Sequence, residues 1–292
     1  MTTTINPLRY PGAKRQLVPY IGNLIKCNNL HGCTFIEPYA GSAVVGLELL
    51  KNNIIDRLIL VERDVLIYSF WKCVFSATDE LCNRIETLPV DIETWLKMKP
   101  LREVTVPHDD KIMELGVAGL FFNRTNFSGI LKANPIGGIT QNSNYKIDCR
   151  FNKPVLIDLI KNLSLIKEKV EVYWDDAITF LNGYKANFLK KRHFVYFDPP
   201  YFSKGHKLYR HYYTINDHKK LANFVRNNKH FDWLISYDDE PYICGLYSGM
   251  NAKYSPFYLD YTVSKGKRSS GKELLISNLP LPPVKFSKTN IL

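Results

Sequence analysis

The segment Phe194-Val-Tyr-Phe-Asp198-Pro-Pro-Tyr201 sets a carboxylate and an aromatic ring on either side of two prolines. An apolar run ends at Asp198, and neither proline can donate to a sheet ladder, so the chain must turn there. In open α/β sheets ligands sit outside the carboxyl ends of strands, which would place Asp198 and Tyr201 beside a crevice. This pair suits chemistry on an aromatic amino group. The amino nitrogen of adenine is a poor nucleophile, because its lone pair is delocalised into the ring. The Asp198 carboxylate and the Pro199 carbonyl can accept both amino hydrogens, favouring a pyramidal nitrogen whose lone pair points at a sulfonium methyl. Tyr201 offers an aromatic face to the base. The plainer alternative is a strand-ending turn carrying an ordinary surface aspartate.

A second constellation is Phe35-Ile-Glu37-Pro-Tyr-Ala-Gly41-Ser42, followed by a helical pattern from Ala43. Strand, glycine turn and helix is an architecture that binds nucleoside cofactors. The turn is not a Gly-x-Gly-x-x-Gly fingerprint, so a dinucleotide is not implied. The next apolar run ends in Leu60-Val61-Glu62, where an acidic side chain suits ribose hydroxyls. Taken alone, Glu62 reads equally well as a surface charge.

Positioning these residues requires strands with helices between them. Short apolar runs predict strands at Thr34–Ile36, Leu58–Val61, Val170–Tyr173, Phe194–Phe197, Trp233–Ser236 and Leu274–Ile276. Helical periodicity covers Val44–Lys51, Pro154–Lys167 and Asn216–Asn227. The alternation predicts a mainly parallel, Rossmann-like α/β sheet. The stretch from Val65 to Leu165 is too long for one crossover and holds amphipathic patterns at Asp79–Leu88, Ile92–Met98 and Lys111–Phe122. It reads as a mostly helical insertion. The expected division is a catalytic domain of residues 1–65 and 166–292 around an inserted domain of residues 66–165. Phe257–Val263 and Glu273–Ser277 read as a terminal hairpin, with Ser264–Lys272 as a mobile basic loop.

Composition narrows the partners. The chain has 292 residues, 45% hydrophobic and 23% charged, which is ordinary globular composition. Its formal net charge of +11 favours a polyanion, with nucleic acid ahead of a membrane surface. An inert basic surface is the alternative. None of the six cysteines forms a Cys-x-x-Cys pair, so they read as thiols in a reducing compartment, and no metal site is expected. The N-terminus lacks the apolar stretch of a signal peptide, and no apolar run is long enough to span a membrane, so the expected location is the cytoplasm.

With these motifs the chain resembles the Dam-like DNA adenine-N6 methyltransferases, in the order cofactor motifs, recognition insertion, catalytic motif. Leu8-Arg-Tyr10-Pro-Gly-Ala-Lys14-Arg resembles the family's Arg-Tyr-Pro-Gly-Gly-Lys block, and Phe122-Asn123-Arg124-Thr125-Asn126-Phe127-Ser-Gly129 its Asn-Arg-x-x-aromatic-x-Gly segment. Lys146–Lys153 and Gly271–Asn278 also look familial. The resemblance implies an S-adenosylmethionine-dependent, site-specific methyltransferase acting on a flipped adenine in double-stranded DNA. It assigns Asp198, Pro199 and Tyr201 to catalysis. Tyr10, Lys14, Glu37, Ala40, Gly41, Ser42, Glu62, Asp176 and Asp198 are assigned to the cofactor, with Lys14 on its methionine carboxylate. Asp175 is an alternative to Asp176. Arg124 and Lys132 are implied as phosphate or base contacts. Phe127 is implied as an intercalating ring, or else as a core phenylalanine. Implied partners are double-stranded DNA and a cognate restriction endonuclease, with the chain a monomer or weak dimer.

Three departures stand out. Ala43 replaces a usual glycine, Tyr39 a usual phenylalanine, and Lys132 an arginine that reads guanine in GATC-specific members. Lysine lacks the planar fork of arginine, so GATC specificity does not carry over. His206 and His211 fall in a segment where basic residues and aromatics interleave, which suits a nucleic-acid groove or a lid. Lys265, Lys267, Arg268 and Lys272 read as phosphate contacts or as a solvated charged loop. Rival readings are an RNA-adenine or protein-glutamine methyltransferase, a cytosine-amino methyltransferase, and a DNA-binding regulator that has lost catalysis.

Overall fold

The computed structural model describes residues 6–9, 14–202, 210–250, 252–262 and 268–284. Tyr10, His206, Lys265 and Lys267 lie outside them. The strands are β1 (Thr34–Glu37), β2 (Arg57–Glu62), β3 (Val170–Trp174), β4 (His193–Phe197), β5 (Asp232–Asp238), β6 (Lys253–Thr262) and β7 (Arg268–Ser277). They form one sheet in the order β3-β2-β1-β4-β5-β7-β6. Pairing is parallel from β3 to β5, and β7 runs antiparallel to both β5 and β6.

The six expected strands all form, because each is an apolar run that a sheet covered on both faces can bury. Every residue of β1 and β4 is buried. Alternate side chains feed opposite faces, as the pleat requires. Phe35, Leu58, Phe194 and Leu234 enter one core, while Ile36, Ile59, Val195 and Ile235 enter the other. The terminal hairpin also forms, but longer than its apolar pattern suggested. Ladder pairing with β6 continues through Arg268–Lys272, so that part of the expected loop is strand.

Helices α1 (Val18–Cys27) and α2 (Val44–Lys51) cover the first face. The long connection supplies α3 (Val65–Ser76), α4 (Thr78–Thr87), α5 (Ile92–Met98), α6 (Ile112–Thr125) and α7 (Lys153–Ser164), mostly helical as its periodicity predicts. Apolar side chains from all of these join the same first core. The second face is covered by α8 (Ala177–Gly183), α9 (Lys185–Phe188), α10 (Ile215–Asn227) and α11 (Pro241–Tyr247). The result is a helix–sheet–helix sandwich, the Rossmann-like arrangement expected.

Two features of this topology place the site. β1 and β4 are neighbours, yet the chain leaves β1 toward β2 and leaves β4 toward β5. A crevice therefore opens beyond their carboxyl ends, at Glu37 and Asp198. The connection also packs closely on the sheet side. A Cβ on Gly119 of α6 would lie 2.4 Å from the Leu66 carbonyl oxygen of α3, so the two backbones touch at a glycine.

Candidate active site

The crevice is a cleft with about 890 Å³ of empty space, its open mouth included. Its floor is the turn after β1. Gly41 has φ 47° and Ala43 φ 51°, so two successive left-handed bends swing the chain into α2. Alanine in that region carries a strain that glycine would not. Glu62, at the end of β2, fixes the turn from beside it. Its two oxygens accept from the Gly41 and Asp64 backbone nitrogens, each at 2.8 Å. Trp71 Nε1 donates to the Gly41 carbonyl at 2.8 Å, and the Asn6 side chain donates to the Ser42 carbonyl.

Acidic groups line this end of the cleft. Burial pushes the Glu62 carboxyl up to about 7, with Asp64 adding to the rise. Glu37 is more deeply enclosed, and burial pushes it up to about 8 against the Gly46 backbone hydrogen bond. Its Oε2 has no hydrogen-bond partner among the described residues. Asp176 caps α8, accepting from Ile178 and Thr179 nitrogens at 3.0 and 3.2 Å, and faces Arg63 at 3.8 Å. Asp176 lines this cleft and Asp175 does not. Tyr39 closes a wall through a 2.6 Å hydroxyl contact with Tyr213.

At the other end stands the turn after β4. The Asp198 carboxylate is part-open to the cleft, its side chain 27% exposed. Ser236 on β5 donates to its Oδ1 at 2.7 Å, and Tyr196 lies 2.9 Å from the same serine hydroxyl. Lys14 approaches Asp198 at 3.5 Å and Glu273 at 2.9 Å. Its Nζ donates to Tyr201 Oη at 2.8 Å, and Tyr201 donates to Glu273 at 3.2 Å. Burial raises the Asp198 carboxyl to about 6; Lys14 opposes the rise and Glu273 adds to it. Pro199 is buried behind the turn, and the peptide nitrogen of Phe202, the residue after Tyr201, donates to the Asp238 carboxylate at 3.0 Å.

The cleft thus gathers Lys14, Glu37, Ala40, Gly41, Ser42, Glu62, Asp176 and Asp198 from separate parts of the chain. Lys14 sits at the Asp198 end, engaged with protein groups there. Arg210, His211 and Tyr213, from the segment read as a nucleic-acid groove or lid, line the same cleft, whereas Asp64, Ser236 and Glu273 were given no role by the sequence. Asp64 had a usable signal, since an aspartate just before an apolar helical run marks an N-cap. It accepts from Leu66 at 2.9 Å. Ser236 lies inside an apolar strand, where nothing marks it.

The three residues expected at DNA divide. Phe127 is 61% exposed, so the core alternative does not hold. Lys132 is exposed. Arg124 is turned inward, donating to the Pro7 carbonyl at 2.5 Å and to that of Asn6 at 3.5 Å. Asn123 clasps the backbone of Arg9 through its carbonyl and amide, each at 2.7 Å. This segment therefore buttresses the N-terminal strand of chain that leads to Lys14 and, through Asn6, the Ser42 turn.

The family model of the D12 class N6 adenine-specific DNA methyltransferases matches residues 10–257. The chain belongs to that family. It is an adenine-specific DNA methyltransferase, so its substrate is DNA and its reaction needs a methyl donor. Among solved structures, "Putative methyltransferase yhhF" from Escherichia coli is similar over 94% of this chain and 92% of its own, at 13% identity and a TM-score of 0.36. No curated protein matches the chain. Among the described residues of the methyltransferase, no helix is long and apolar enough to cross a membrane.

Proposed function

We propose that the cleft of this methyltransferase binds S-adenosylmethionine, and that Asp198, Pro199 and Tyr201 present the flipped adenine to it. The observation that carries this reading is the meeting of Asp198 with the Gly41 turn and Glu62 in one cleft at the β1/β4 switch point. The residues suit the cofactor. Glu37 offers a buried oxygen with no partner among the described residues, suited to a donor on the ligand. Glu62 has lone pairs left beyond its two backbone contacts, as ribose hydroxyls require. Ala40, Gly41 and Ser42 bring backbone close to the cleft, and Asp176 lies at its far side. When bound, S-adenosylmethionine supplies an electrophilic methyl group on sulfonium.

The chain's own part is to hold and orient. Asp198 is kept in place by Ser236 and Lys14, so its free lone pairs accept amino hydrogens without reorganising. Recognition is assigned to residues 66–165, with exposed Phe127 as wedge and Lys132 as phosphate contact. Arg124 is assigned to holding Asn6 and Pro7 in place.

The test is Asp198→Ala. Cofactor and DNA binding should persist, while single-turnover methyl transfer falls by ~10²-fold or more. Near-normal turnover would remove Asp198 from the chemistry. Expressing the wild-type protein in bacteria lacking adenine methylation, then mapping modified bases, should yield one recurrent adenine motif.

A further inference from the structure

Lys14 is almost fully buried, and its ammonium has three neighbours that the structure identifies: Glu273 at 2.9 Å, the Tyr201 hydroxyl at 2.8 Å and Asp198 at 3.5 Å. The nitrogen also lies 4.5 Å from the centre of the Tyr201 ring. Glu273 is the nearest carboxylate and is itself 2% exposed, on β7 facing β5. One oxygen of Glu273 meets both Lys14 and Tyr201. Lys14, Glu273 and Tyr201 thus form a closed triangle beside Asp198. A buried carboxylate is costly unless charged and polar partners satisfy it, so this triangle holds its members in register.

We propose that Glu273 is a positioning residue: it anchors the Lys14 ammonium between Asp198 and Tyr201, making Lys14 serve the target-amino end of the cleft. The inference rests on the reading of Asp198 as the acceptor of the adenine amino hydrogens. With Lys14 shared, Asp198 is stabilised as a carboxylate but not saturated, and keeps lone pairs for the base. Without Glu273, the ammonium would close onto Asp198 and compete with the substrate amino group. The groups facing Asp198 come from five places. They are Lys14 ahead of α1, Glu37 on β1, Tyr196 on β4, Ser236 on β5 and Glu273 on β7. Of these, Lys14 lowers the pKa of Asp198 and Glu273 raises it.

Opposite signs make the test sharp. Single-turnover methylation of a DNA duplex is followed against pH for the wild type, Glu273→Gln, Glu273→Asp and Lys14→Gln, alongside cofactor binding. Removing the Glu273 charge should move the acid limb of the rate profile to lower pH, by roughly half a unit or more. Lys14→Gln should move it to higher pH. Glu273→Gln should also slow transfer by at least ~10-fold, from loss of charge-assisted hydrogen bonds, with cofactor affinity within about twofold of wild type. Glu273→Asp should recover part of the rate and the wild-type limb. If the two neutral variants shift the limb in the same direction or not at all, the proposal fails. A fall in cofactor affinity matching the fall in rate would return Lys14 to the cofactor carboxylate and also overturn it. Should Glu273→Gln not fold, the Lys14→Gln and Glu273→Asp profiles still decide. Asp198→Ala separates the two levels: if that variant keeps transferring methyl groups, the catalytic reading itself falls. If it is inactive while Glu273→Gln behaves as wild type, only the positioning role falls.

Discussion

Arg210 Nη1 meets Asp64 Oδ1 at 3.0 Å across 146 residues of sequence, with both side chains largely buried. The same Asp64 oxygen caps α3, two residues after the Glu62 that holds the Gly41 turn. The other guanidinium nitrogen of Arg210 donates to the carbonyls of Arg102 and Val104, between α5 and α6. One side chain therefore joins the segment after the β4 turn, the lip of the cleft and the helical connection. The arrangement needs a planar fork, because three acceptors are served in different directions.

Arg210→Ala would leave a buried carboxylate without its cation and two carbonyls without a donor. The expected loss is about 3 kcal/mol of stability, with weakened cofactor binding as the lip loosens. Arg210→Lys should recover little of either, since a point charge cannot replace the fork. Urea unfolding and calorimetric titration would measure both, and a lysine variant as stable as wild type would show that charge alone suffices.

Three cleft carboxyls are raised by burial: Asp198 to about 6, Glu62 to about 7 and Glu37 to about 8. In the unfolded chain such groups ionise near pH 4. Between those limits the folded state binds more protons than the unfolded state, so stability falls as pH rises through about 4 to 8. The free enzyme should melt at progressively lower temperature across that window. Glu37→Gln should flatten the upper part of the curve, gaining on the order of 1 kcal/mol at pH 8, or about 2 °C. A melting temperature that climbs from pH 5 to 8 contradicts this assignment. Methyl transfer should run the other way, rising through pH about 6 as Asp198 becomes an acceptor.

Gly119 sets propensity against packing. Alanine is the better helix former by about 1 kcal/mol. Its Cβ, however, would sit 2.4 Å from the Leu66 carbonyl, and a backbone oxygen in a packed helix cannot step aside. Gly119→Ala should therefore lower stability by about 1–3 kcal/mol in denaturant unfolding. A variant at least as stable as wild type would mean that α3 and α6 separate freely.

Much of this was written in local pattern. The strands were legible because both faces of the sheet are covered, so each appears as an unbroken apolar run. The cleft residues were legible where a turn follows such a run, as at Gly41, Glu62 and Asp198. What local pattern hides is partnership. Arg124 lies in the segment whose family resemblance implied a DNA contact, yet its guanidinium is turned inward onto the Asn6 and Pro7 carbonyls, and only tertiary packing decides that. Glu273 lies on a strand whose alternation says it is enclosed, but not that Lys14 and Tyr201 enclose it. The role of Gly119 depends on how near another helix comes, which periodicity does not encode.

Phe127 joins an exposed ring to a rigid mount. The preceding Asn126 is fully buried, accepting from Trp95 Nε1 at 2.7 Å and donating to the Ile130 and Leu131 carbonyls at 3.2 and 2.9 Å. Ser128 and Gly129 follow in left-handed conformations, so the loop bends sharply with Phe127 at its tip. A large apolar ring held out in water on a polar anchor has no folding advantage; it suits insertion into a base stack. Reaching an adenine amino group inside a duplex costs a few kcal/mol of pairing and stacking, less at a mispaired base. An aromatic wedge recovers part of that by filling the gap. A duplex with 2-aminopurine at the target position should brighten on binding and bind more tightly when that base is mispaired. Phe127→Ala should reduce the fluorescence gain on the paired duplex more than on the mispaired one, with little change in protein stability. Tyr201→Ala should instead slow methyl transfer on both. Equal losses on the two duplexes for Phe127→Ala would deny the ring its role as wedge, leaving base flipping to rest on the fluorescence of the wild type.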